Sequence, residues 1–350
     1  MKPYRTHYTK ILLVLPCLLW FMACNQKDNV FHFSGTIEGI TQTTFYLYGE
    51  GNDFTGFDTL EIKDGRFQYA KTLEEPVLLR LMYPNFAYTY IVAEPGVELH
   101  MEGSGSKLGE APIKGSEENE LLSRFRTETH ALKANEQHMA AAHFIQNNAQ
   151  RLAAVAVFRK YFVDAKEIDT ETASTLLEEL KKAQPESKLV AAVEKQLQPF
   201  LLSSIDRPLP SFEALCIDST NIVSDSLKGK PLLIGLFSTW RNENYQIVPQ
   251  MARYEQEYAD SLGLLAISLD YDLHRCTTRI TQDSLQAPVV CDGRAFDSPI
   301  VQLLGVRYLP GNILVDHKGT IVGRDIPLTE LDNAIARIVK NYREKPAKKE

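Results

Sequence analysis

Cysteine is scarce in this 350-residue chain: five occur, at positions 17, 24, 216, 276 and 291, and no two are separated by two residues. A C-x-x-C redox pair and the paired spacings of a structural zinc site are both missing. Glycine-rich phosphate loops and a G-x-S-x-G elbow are missing too, so the nucleotide-binding and serine-hydrolase classes have no residues to stand on. There is no excess of positive charge, since 38 basic residues face 45 acidic ones, a net charge of -7. Without Lys2, Arg5 and Lys10 of the N-terminal segment the balance is 35 against 45, or -10, which argues against nucleic acid as a partner. No apolar run reaches the ~20 residues of a membrane-spanning helix. The run ILLVLPCLLWFMA has 13 residues and contains Pro16. What remains is the composition of ordinary globular domains, 44% hydrophobic and 24% charged, over a length that calls for at least two of them.

Residues 1–24 combine a basic start, that apolar run and Cys24, the order of parts in an export signal. The ending Phe21-Met22-Ala23-Cys24 resembles a bacterial lipoprotein cleavage box, with Phe21 where leucine is usual. The resemblance implies lipidation at Cys24 and an exported, periplasm-facing or surface lipoprotein, with the outer membrane as the expected membrane. An ordinary signal peptide with Cys24 as a plain thiol is the alternative.

Four further segments follow. Residues 25–115 show period-two alternation, as in Phe31-His32-Phe33, Thr44 to Tyr48 and Tyr88 to Val92, which predicts strands. Asp64-Gly65 marks a tight hairpin and Glu94-Pro95-Gly96 a turn, so an all-β sandwich or small barrel is expected. Residues 116–205 read as a helical connector of three or four helices, with starts at Ser116, Asn147, Asp169 and Pro185. Residues 206–342, after a linker stiffened by Pro208 and Pro210, alternate apolar strands with helices and predict an α/β domain. Within it Asn244 to Asp260 reads as one helix kinked by Pro249. Residues 343–350 form a charged tail. His130, His138 and His143 have spacings that scatter them around a helix, so no metal site is expected, and no cofactor.

The stretch from Pro208 to Tyr342 resembles a thioredoxin-like domain of the envelope thiol-disulfide oxidoreductase type, in the superfamily that includes the alkyl hydroperoxide reductases. The resemblance rests on Gly229-Lys230-Pro231 before a buried strand, Phe237-Ser238-Thr239-Trp240 at its end, Pro249, Ser268-Leu269-Asp270, and Tyr308-Leu309-Pro310 before Ile313 to Asp316 and Lys318-Gly319. Residues 25–115 resemble in pattern the domain of unknown function that precedes such domains in Gram-negative lipoproteins. The family's cysteine pair would follow Trp240, but the segment reads Trp240-Arg241-Asn242-Glu243-Asn244, and no cysteine occurs between Cys216 and Cys276. Guanidinium and amide supply neither an attacking thiolate nor a leaving sulfur.

The ordinary dithiol and peroxidase mechanisms are therefore absent from the turn. What the resemblance leaves is a redox-degenerate fold that binds a protein or peptide in the envelope, with Leu309-Pro310 as a candidate cis-proline loop facing the turn. The alternative is a thiol-disulfide oxidoreductase or antioxidant enzyme using Cys276 and Cys291, which are also a candidate disulfide. Cys216 reads as a buried small hydrophobe.

Overall fold

The computed structural model describes residues 29–50, 54 and 56–344; the export segment, Cys24 and most of the charged tail lie outside the described residues. Two compact units divide at Lys160/Tyr161. The helical stretch 116–205 is thereby shared: α1 (Glu117–Thr129), α2 (Ala134–Asn147) and α3 (Leu152–Phe158) belong to the first unit, α4 (Thr170–Ala183) and α5 (Lys188–Leu202) to the second. Five helices thus replace the expected three or four. Asn147 ends α2 instead of starting a helix, because the next helix waits for an extended Arg151 at its N-cap. The Pro185 start moves to Ser187, whose hydroxyl accepts from the Val190 N–H.

The first unit holds one curled eight-stranded sheet. Its strands are β1 (Val30–Glu38), β2 (Gln42–Glu50), β3 (Phe57–Lys63), β4 (Arg66–Thr72), β5 (Val77–Met82), β6 (Tyr88–Ala93), β7 (Glu98–Ser104) and β8 (Ile113–Lys114), in the order β6-β5-β2-β3-β4-β1-β7-β8. Alternation works as the pleat demands: Phe31, Phe33 and Ile37 point inward from β1 while His32, Thr36 and Glu38 face out. At the β3–β4 hairpin both Asp64 (φ 51°) and Gly65 (φ 71°) occupy the left-handed region, the geometry a type I′ turn requires.

The sheet is neither a sandwich nor a barrel closed by strands. Helix α1 lies between its two edges and hydrogen bonds to both. Asn119 donates to the Val92 carbonyl (2.7 Å) and accepts from the Val92 N–H (3.1 Å) on β6. One turn later Ser123 accepts from the Ile113 N–H (2.9 Å) and donates to the Ile113 carbonyl (3.1 Å) on β8. Two polar side chains at i and i+4 do what a ninth strand would do for edge groups buried away from water. Ser116 caps the helix, accepting from the Asn119 N–H.

The second unit is α/β. Strands β11 (Leu232–Phe237), β12 (Gly263–Ser268) and β13 (Val289–Val290) run parallel, and β14 (Gly311–Val315) and β15 (Ile321–Arg324) antiparallel, in the order β13-β12-β11-β14-β15. A small hairpin, β9 (Glu213–Leu215) with β10 (Asn221–Val223), precedes them. Every residue of central β11 is buried, because both sheet faces are covered. Leu233 and Phe237 meet α6 (Asn242–Tyr245), α7 (Ile247–Tyr258), α8 (Leu273–Gln282) and α10 (Leu328–Arg343). Leu232, Ile234 and Leu236 meet the β9–β10 hairpin and α9 (Pro299–Leu303).

The single kinked helix expected over 244–260 is instead two, broken at Gln246. Pro249 is the third residue of α7, a first-turn position whose N–H has no helical acceptor to lose.

Candidate functional site

The register of the second sheet gathers the site. Phe237 pairs with Ser268, Ile267 with Val290, and Leu236 with Gly311. The carboxyl ends of three parallel strands and the start of β14 therefore share one edge, where α/β sheets of this kind place their ligand crevices. The turn Ser238-Thr239-Trp240 leaves β11 at that edge, and Tyr308-Leu309-Pro310 arrives there just before β14. The Leu309–Pro310 peptide is cis.

Arg241 is extended and N-caps α6, and Arg241, Asn242 and Glu243 are all exposed. Asn244 is half-buried and faces the other way. With its amide set to satisfy its neighbours, its nitrogen donates to the Leu309 carbonyl and its oxygen accepts from Ser238 Oγ and Trp240 Nε1, each at 3.2 Å. One side chain thus joins the β11 turn to the proline loop and fixes the indole. The family resemblance places Asn244 where a thiol is usual, and that amide is the one sequence signal for this cross-link.

Asp270 anchors the same turn from beneath. Its carboxylate is buried and accepts from the Thr239 N–H (2.9 Å), Thr239 Oγ1 (2.9 Å) and Ser268 Oγ (2.7 Å). The proline loop has its own support. Buried Asn312 exchanges two hydrogen bonds with the Ile326 backbone (2.8 and 3.0 Å), and its carbonyl accepts from the Asp325 N–H (2.8 Å). Burial pushes the Asp325 carboxyl above its ordinary value, against the pull of neighbouring Arg324. Asp325 and burial together also raise the Tyr308 phenol, burial being the larger cause.

Around these two loops several large apolar side chains are exposed among polar ones. Trp240 is 41% exposed and Tyr271 71%, and Leu273, Phe296 and Tyr308 are exposed as well. Trp240, Tyr271 and Phe296 follow β11, β12 and β13, Leu273 opens α8 and Tyr308 precedes β14, so all five belong to the segments at the shared strand edge.

Cys276 and Cys291 do not reach that surface. Both are free, buried thiols in the core on the α7–α8 face of the sheet. Cys216, also free, packs on the opposite face, where burial raises its thiol. No sulfur lies within the turn itself.

Residues 31–122 match a family described only as a domain of unknown function, DUF4369. No curated protein matches the chain. Among solved structures, one similar domain is the C-terminal part of a candidate thiol-disulfide oxidoreductase from Bacteroides thetaiotaomicron: 28% identity, 40% of this chain against 98% of that one, TM-score 0.37. A thiol-disulfide oxidoreductase from Bacteroides fragilis is 24% identical over 37% of this chain and 98% of its own, TM-score 0.35. A thiol:disulfide interchange protein of the thioredoxin family from Chlorobium tepidum is 19% identical over 39% and 98%, TM-score 0.35.

Proposed function

We propose that this chain is an exported envelope protein, lipid-anchored at Cys24, whose second unit is a thioredoxin-like fold turned from disulfide exchange to the recognition of an extended peptide or protein. Asn244 carries this reading. At the position of a resolving cysteine it holds Trp240 and the Leu309 carbonyl through hydrogen bonds, a link that no thiol chemistry makes or breaks. Thioredoxin-like chemistry needs a thiolate at the helix start, and Arg241 stands there. The rim of Trp240, Tyr271, Leu273, Phe296 and Tyr308 supplies apolar contact, and the backbone beside Pro310 offers main-chain pairing of the kind extended peptides use.

Selection of displayed random peptides on the intact chain tests it. Enriched peptides are expected to lose affinity by about tenfold, or about 1.4 kcal/mol, with Trp240→Ala and again with Arg241→Ala. Peptides that bind both variants as well as wild type would remove the turn from recognition.

A second reading has one observation behind it. Cys276 and Cys291 share one buried cluster and perturb each other, which suits a thiol-disulfide oxidoreductase or antioxidant enzyme. Burial of both sulfurs speaks against turnover on a protein disulfide. Catalysed insulin reduction, abolished by Cys291→Ala, would favour this reading over recognition.

A further inference from the structure

The recognition turn rests on a buried dithiol that peptide binding does not use. Cys276 projects from the first turns of α8, and Cys291 follows β13 directly. The two thiols lie in one buried cluster, where each perturbs the other's ionisation and both interact with Ser268. The Cys291 thiol also lies 3.6 Å from the Asp270 carbonyl oxygen as a donor. Ser268 Oγ in turn donates to the Asp270 carboxylate, whose other oxygen holds the Thr239 N–H and hydroxyl. Asp270 therefore links Cys291, through its carbonyl, to the residue before Trp240, through its carboxylate. Two apolar side chains would fill the same space without linking it to the turn.

We propose that Cys276 and Cys291 form a redox-responsive pair, closed to a disulfide by a small hydroperoxide, and that closure is transmitted through Ser268 and Asp270 to the Trp240 turn.

Burial selects the oxidant. Cys276 and Cys291 are both buried, so only a small uncharged oxidant reaches the pair. The neighbouring Cys276 lowers the Cys291 thiol, while that same neighbour and burial raise Cys276. The Cys291 thiolate takes one oxygen of the hydroperoxide. The O–O bond breaks, and hydroxide leaves and recombines with the proton Cys291 had released, giving water and a sulfenic acid. Cys276 sulfur then attacks the Cys291 sulfur. The S–S bond forms as the S–O bond breaks, and the leaving hydroxide takes the Cys276 proton as a second water. Two thiols are oxidised and one hydrogen peroxide is reduced to two waters.

Closure removes both S–H groups. The Asp270 carbonyl loses its thiol donor and Ser268 loses its sulfur partners, so the bonds that Asp270 makes to Thr239 are the ones left to readjust.

Trp240 reports the outcome, being one of two tryptophans in the chain. The full chain carrying Trp20→Phe is treated with equimolar hydrogen peroxide, then mapped for disulfides and followed by Trp240 emission and iodide quenching. We expect a Cys276–Cys291 cross-link, a shift of emission to longer wavelength with increased quenching, and reversal of both by added dithiol. Cys291→Ala and Cys276→Ala should abolish the shift. Thiols that stay free, or a Cys291 sulfinic acid beside an intact Cys276, would overturn the pair. A cross-link with unchanged Trp240 emission would overturn the transmission. Mapping of the wild-type cysteines decides the pair even where an alanine variant does not fold, and no peptide is involved, so failure of the recognition reading leaves this result readable.

Discussion

Single side chains decide what chemistry the second unit performs. On the thioredoxin-like reading proposed above, Asn244 and Arg241 stand where a dithiol would stand, and substitution of both by cysteine is the direct probe. The variant Arg241→Cys with Asn244→Cys is expected to catalyse insulin reduction above the rate of reductant alone, because a thiol at the N-terminus of α6 gains the stabilisation that helix start offers a thiolate. Absence of any gain would mean that the turn no longer presents a reactive geometry. Removing the amide alone has a different cost. Asn244→Ala leaves the buried Ser238 hydroxyl without this partner and is expected to destabilise by about 1–3 kcal/mol in denaturant unfolding. In the first unit, the Tyr69 phenol donates to Asp58 at 2.6 Å and holds that carboxyl below its ordinary 3.8 against the opposing effect of burial, with Lys71 adding a smaller pull. A depressed carboxyl stabilises the fold above its unfolded pKa, and that contribution is lost as pH falls through the lower folded value. Unfolding midpoints of wild type and Asp58→Asn should therefore differ at neutral pH and converge as pH drops below the ordinary carboxylate range. These residues were visible in the sequence as types; their partners were not, since Asp58 and Tyr69, or Asn244 and Leu309, are joined only by the fold.

Helix α1 shows how an element can take over a role its own pattern does not announce. Its sequence reads as a capped, acidic-start helix, and Ser116 with Glu117, Glu118 and Glu120 made that start legible. Nothing in the periodicity says that Asn119 and Ser123 face two strand edges instead of solvent. Both are buried, and both hydrogen bond to backbone on β6 and β8 respectively. Asn119→Ala would leave the Val92 N–H and carbonyl unpaired, at about 1–3 kcal/mol each, whereas exposed Glu120→Ala should change unfolding by no more than about 0.5 kcal/mol. Equal effects from the two substitutions would show that α1 does not close the sheet. The α6–α7 break teaches the same lesson in reverse. Pro249 is a strong local signal for a kink, yet the interruption falls at Gln246 and leaves proline in a first turn, the position that costs it least.

For the whole molecule, the division at residue 160 has a physical counterpart in Arg324. Its guanidinium is buried and donates to the Ser203 carbonyl (2.8 Å) and hydroxyl (2.7 Å) and to the carbonyls of Leu304 (2.6 Å) and Gly305 (2.8 Å). The end of α5 is thus built into the α/β unit. A piece spanning 161–344 is expected to unfold cooperatively, while one starting at 206 loses the Ser203 partners of a buried cation and should be less stable by about 3–5 kcal/mol or fail to fold. Comparable stability of the two pieces would place the boundary at the Pro208 linker after all. By itself the sequence determined the class of each segment, the Asp64-Gly65 hairpin, the strands and helices of the α/β unit, and the lack of sulfur in the turn after β11. All of these follow from local periodicity, turn chemistry and residue identity. Only the tertiary structure decided that a helix closes the first sheet, that α4 and α5 belong with the α/β unit, that Asn244 ties two loops together and that Cys276 and Cys291, a candidate pair in the sequence, are both buried in one core cluster. Each of those depends on residues far apart in the chain meeting in space, and local patterns of hydrophobicity carry no record of which partner a buried polar group will find.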